Sequence, residues 1–133
     1  MAMTNLIGSP SSADEAIEIG LPLRSEHGAT LRVIVASLGS DNGHTIDEID
    51  DLKLAVSEVF SLLIDDAGTS PGRAVVRYWS EAGTIRVHLT HGGDNLSLEL
   101  DALARAILSS VVDEYTVDGD GIMLLKRATE LTT

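Results

Sequence analysis

From residue 47 to residue 67, apolar side chains return every three or four positions. They are Ile49, Leu52, Val56, Val59 and Leu63, with Ala55, Phe60 and Ile64 widening the stripe. That period predicts a helix of about six turns with one broad buried face. Thr45, with Glu48 three residues later, predicts a capping box at its start. Asp47, Glu48, Asp50 and Asp51 crowd the first turns, where the positive end of the helix dipole favours them. Gly68 is placed to stop the helix.

The remaining segments fall on either side of it. Ile17, Ile19, Leu21 and Leu23 alternate with other residues, the pattern of a strand with one buried face, and Pro22 suits an edge or a strand end. Leu31, Ile34, Val35 and Leu38 follow at i, i+3, i+4 and i+7 and predict a first helix over 26–40. Gly39, Asp41, Asn42 and Gly43 end it in a turn, while Ala29, Arg32, Ala36 and Ser40 form a small-residue stripe on another side. After a loop at 69–72, Val75, Val76, Tyr78 and Trp79 make one strand. Glu81 to Gly83 turn it into the alternation of Ile85, Val87 and Leu89. Leu98, Ala102, Leu103, Ala106, Ile107 and Val111 predict a third helix from 97 or 99 to 112. Segments 115–117 and 122–126 flank Asp118-Gly119-Asp120-Gly121 as strand, turn and strand.

The order β-α-α-β-β-α-β-β lacks strict βαβ alternation. It predicts an α+β two-layer sandwich: a mixed, mostly antiparallel sheet covered on one face by three helices. Residues 15–133 read as a single domain, and 1–14, small and polar with Gly and Pro, as a flexible tail.

Composition narrows the chemistry. The chain has 133 residues, 44% of them hydrophobic but only 3% aromatic, so its core is aliphatic. A chain of this length buries roughly two thirds of its unfolded surface. Cys is absent, which excludes disulfides and thiolate metal sites and fits a reducing cytoplasm. A net charge of −12 argues against direct nucleic-acid binding and permits steering toward a basic protein surface. No apolar run approaches the roughly 20 residues of a membrane span. His27, His44, His88 and His91 show no ligand spacing, and Asp118 to Gly121 lacks the later Glu of a calcium loop. No metal site is expected.

Asp50-Asp51-Leu52-Lys53-Leu54-Ala55-Val56-Ser57-Glu58 resembles the second helix of the bacterial anti-sigma factor serine/threonine kinases, of the histidine-kinase-like ATPase family. Residues 31–37 look like their first helix, 107–117 like their third helix and next strand, and 121–126 like their closing strand. The resemblance covers roughly residues 16 to 128 and implies the fold of that family. It makes Glu58 the counterpart of the general base, here vestigial, and Arg32, flanked by Ala29 and Ala36, the counterpart of a partner-contacting arginine.

The same comparison marks departures at the nucleotide positions. Leu62 stands where the family has a magnesium-ligating Asn. His91, in Thr90-His91-Gly92-Gly93, stands where an Asp reads adenine. Asp101, in Leu100-Asp101-Ala102-Leu103, stands where glycines cradle phosphate. The lid has no room between Gly93 and Leu98. The resemblance therefore implies a cytoplasmic anti-sigma-like regulator without a cofactor, binding a sigma factor or an anti-anti-sigma protein and pairing as a homodimer. Two other readings stay open: an active kinase using ATP and magnesium, and a scaffold that only dimerises.

Overall fold

The computed structural model describes residues 16–68, 72–91, 98–119 and 121–129. The expected tail at 1–14 and the expected absence of a lid between 93 and 98 concern residues outside this set, save Leu98 itself. The chain runs through β1 (Ile17–Pro22), a short 3-10 turn (Ser25–His27), α1 (Gly28–Asp41), α2 (Ile46–Ala67), β2 (Arg73–Glu81) and β3 (Thr84–His91). It closes with α3 (Ala102–Val111), β4 (Glu114–Asp118) and β5 (Gly121–Arg127).

The long helix forms as its pattern predicts. The Thr45 hydroxyl accepts from Glu48 N at 3.1 Å, and Glu48 Oε1 accepts from Thr45 N at 2.9 Å. Two otherwise unpaired groups at the helix start are thereby satisfied. Leu52, Ala55, Val56, Val59, Phe60 and Leu63 are buried against the sheet side of the molecule. At the far end Gly68 takes a left-handed φ of 67°.

The five strands lie in the order β1-β2-β3-β5-β4. The sheet was expected to be mixed, yet every neighbouring pair is antiparallel, because both β2-β3 and β4-β5 are hairpins and β5 returns against β3. In β3 the alternation is strict: Ile85, Val87, Leu89 and His91 are buried while Thr84, Arg86, His88 and Thr90 are half-buried. Val87 pairs with Tyr78 on one side and Leu124 on the other, so one row of the helix-facing layer crosses three strands. Lys126 ends that layer. Its Nζ donates to Val111 O at 2.8 Å and to Asp51 Oδ2 at 3.2 Å, tying β5 to the end of α3 and to α2.

Three local expectations are corrected. Ile17 is 45% exposed, because it opens an outer strand that, among the described residues, has a neighbour on one side only. Gly39 lies inside α1 instead of ending it: a Cβ there would come within 2.7 Å of Ile49 Cγ1, so the glycine lets α1 and α2 approach closely. The stop is Gly43, at φ 81°. Finally, α3 starts later than the spacing suggested. Asp101 accepts from Ala104 N at 2.8 Å and caps it, so the buried face is Ala104, Leu108 and Val111. Leu103 is 69% exposed, and Leu98 packs on the core from the lead-in segment.

Candidate functional site

α2 carries Glu58, Leu62 and Asp66 at four-residue intervals, which places them in one row along the helix. All three are half-buried. The row begins beside α1, where Arg32 Nη1 donates to the hydroxyl of Ser57 at 3.1 Å. It ends at the last strand residue of β3, where His91 Nε2 lies 2.7 Å from Asp66 Oδ2. Asp101, at the start of α3, is the remaining position that the resemblance singles out.

Of these positions, His91 and Asp101 are engaged by hydrogen bonds within the fold. Leu62 offers a magnesium ion no oxygen, and a hard cation takes oxygen ligands. His91 stands where the resemblance puts an Asp, and the structure brings a carboxylate to it: Asp66 reaches the buried ring from 25 positions earlier. Asp101 stands where the resemblance puts phosphate-cradling glycines. Its carboxylate instead takes the Ala104 amide, one of the groups a bound anion would use at a helix N-terminus. Among the described residues, Leu62, His91 and Asp101 therefore supply none of the groups that the resemblance implies for a magnesium nucleotide at those positions. Glu58 makes no hydrogen bond or ion pair among the described residues, so no neighbour orients it as a base.

Arg32 is the counterpart, by resemblance, of a partner-contacting arginine in the small-residue stripe of α1. It is half-buried, with one nitrogen committed to Ser57 and its Nη1 over Gly28, where a Cβ would sit at 3.4 Å. Ala29 is exposed and Ala36 half-buried, so the expected stripe lies at the surface in part. Beside it stands Val33, 68% exposed, an apolar residue the spacing did not single out. Ser57, Asp66 and Val33 are thus the site residues that sequence reasoning missed. Only Val33 had a signal, lying outside the 31, 34, 35, 38 stripe of α1.

A second polar cluster holds the start of α2. Glu48 is buried and, besides its capping role, accepts from Thr129 N at 2.9 Å and from the Thr129 hydroxyl. His44 lies with Nδ1 3.5 Å from Glu48 Oε1 and Nε2 2.8 Å from Gly83 O. Burial pushes the Glu48 carboxyl up. The bonds from the Thr129 side chain and from the Thr45 and Thr129 backbones, with His44 nearby, outweigh it and hold the carboxyl below its usual range. Among the described residues no group of three or more His, Cys, Asp or Glu is arranged to hold a metal ion. No described helix is long and apolar enough to cross a membrane.

No family model matches the chain. It is similar to the Serine-protein kinase RsbW of Bacillus velezensis, 27% identical over 120 residues that make up 87% of this chain and 75% of the relative. It is also 27% identical over 93 residues to the protein of the same name from Halalkalibacterium halodurans, matching 70% of this chain and only 56% of that relative. Among solved structures, the RsbU and RsbW domains of a Mycobacterium tuberculosis protein match with a TM-score of 0.62 at 18% identity. That match covers 88% of this chain and 34% of the other. The chain resembles the anti-sigma serine kinases, as residues 50–58 indicate, and it has their α+β fold.

Proposed function

We propose that this chain is an anti-sigma-like regulator that acts by binding protein and has no useful affinity for ATP. The observation that carries the reading is the occupation of the nucleotide positions by structural interactions. Leu62 presents a hydrocarbon side chain, Asp66 engages His91, and Asp101 caps α3. Binding energy for a nucleotide would have to come from groups already used to hold the fold.

In this reading residues 15–133 work as one cytoplasmic domain, paired as a homodimer. The partner is a sigma factor or its antagonist, met by the surface of α1 around Arg32, Ala29 and Ala36. A guanidinium suits a carboxylate on the partner, because its planar fork donates two parallel hydrogen bonds. Ser57 holds one nitrogen and leaves the others for such a contact. Exposed Val33 adds apolar area on the same helix.

The test is capture of partners from the native host by the full chain and by Arg32→Glu, followed by mass spectrometry. Recovery of a sigma factor or its antagonist by the first and not the second supports the reading. Recovery of neither sinks it. The kinase reading is favoured by one observation, the printed name of the relatives, serine-protein kinase, together with the retained Glu58. Phosphate transfer from ATP to a captured partner, lost in Glu58→Gln, would replace the first reading with that one.

A further inference from the structure

We propose that the outer edge of β4 takes an extended segment of a partner protein as an added strand, one that alternates large apolar with small side chains and carries basic residues.

The first observation is the edge itself. β4 is terminal in the sheet and pairs only with β5, so half its backbone groups face outward with no strand beside them among the described residues. Exposed edges are usually blunted by Pro, Lys or a glycine break. The opposite edge follows that rule, for β1 contains Gly20 and ends on Pro22. β4 reads Glu114-Tyr115-Thr116-Val117-Asp118, with three strong strand formers in its middle and neither Pro nor Lys.

The second observation is a hollow on each face of this strand. On the helix side a cavity of about 390 Å³ is lined by Leu98, Glu99, Leu100, Arg105, Tyr115 and Val117. Tyr115 and Val117 are alternate residues and so share this face. The lead-in to α3 forms the facing wall, braced by Arg105 Nη1 donating to Leu100 O at 2.5 Å. On the open side, a hollow of about 50 Å³ lies among Glu114, Tyr115, Thr116, Met123 and Leu125. A strand added roughly 4.8 Å from β4 sends alternate side chains to the two sides. The deep side has room for leucine-sized groups, the shallow side for serine-sized ones.

Charge selects the rest. On and beside this edge Glu99, Glu114 and Asp118 outnumber Arg105 and Arg127, and the chain as a whole carries −12. A basic segment is attracted to this edge, whereas a second copy would bring two acidic edges together.

The probe is the peptide acetyl-Lys-Leu-Ser-Leu-Ser-Leu-Lys-amide, titrated into the isotopically labelled full chain and followed by amide chemical shifts. Shifts confined to residues 98–105 and 114–118 are expected. Affinity should fall at least about tenfold for an analogue with N-methylated leucine and serine amides, and equally for Val117→Lys. Val117 is 39% exposed, so that variant keeps the fold, as an unchanged melting curve would confirm. β4 amides that stay still at about 1 mM peptide, or that respond alike to the N-methylated analogue, overturn the proposal. Concentration-dependent shifts of the same amides without peptide, with a doubled sedimenting mass, make the occupant a second copy and overturn it too.

Discussion

Arg32 and Ser57 stand 25 positions apart, and their 3.1 Å hydrogen bond joins α1 to α2 immediately beside Glu58. The bond orients a guanidinium at the margin of the surface assigned to the partner. Arg32→Ala should cost about 1 kcal/mol of stability, the worth of one such bond, but lower partner capture at least about tenfold. Ser57→Ala should cost the same stability and leave capture nearly intact, since the guanidinium stays. Equal capture by the parent chain and Arg32→Ala would remove Arg32 from the interface.

Titration with ATP at millimolar magnesium should give no binding heat. A dissociation constant below about 100 μM, roughly −5.5 kcal/mol, would defeat this. Leu62→Asn should not restore binding on its own. It returns one oxygen ligand, while Asp66 still engages His91 and Asp101 still occupies the amide of Ala104.

Glu48 makes stability depend on acid. Its folded-state pKa is lowered from 4.5, so the charged form favours the folded chain above that value, and this contribution is lost as pH falls through the folded pKa. Glu48→Gln should cost about 1–3 kcal/mol at neutral pH. It should also flatten the fall in melting temperature below about pH 4.5. A variant whose melting temperature falls as steeply in acid as the parent's would assign the acid response to other carboxyls.

Gly121 opens β5 at φ 142°, and a Cβ there would collide with the carbonyl oxygen of Leu89 on β3. Both the strained backbone and the collision oppose any side chain. Gly121→Ala should destabilise by more than about 2 kcal/mol in denaturant unfolding. By contrast Gly119→Ala, with open space around the Cβ and no left-handed φ, should cost under about 1 kcal/mol. Similar losses for the two would mean that β5 does not approach β3 as closely as described.

What the sequence by itself determined was whatever depends on near neighbours in the chain. The capping box of Thr45 and Glu48, the buried stripe from Leu52 to Leu63 and the alternation of Ile85, Val87 and Leu89 are periodic or four-residue signals, and all three are present. The element order, and with it the α+β layering, followed from those periods. The start of α3 was also written locally, in Asp101 before Ala102-Leu103-Ala104, but the apolar spacing from Leu98 masked it. Tertiary structure alone decided which polar groups meet. Asp66 reaches His91, Ser57 holds Arg32, and Thr129 closes on Glu48 across 81 positions. A side chain's type states what it can bond to. Only the crossing of helices and strands brings that partner within hydrogen-bond distance, and at His91 and Asp101 those long-range and local contacts decide which groups remain available to a ligand.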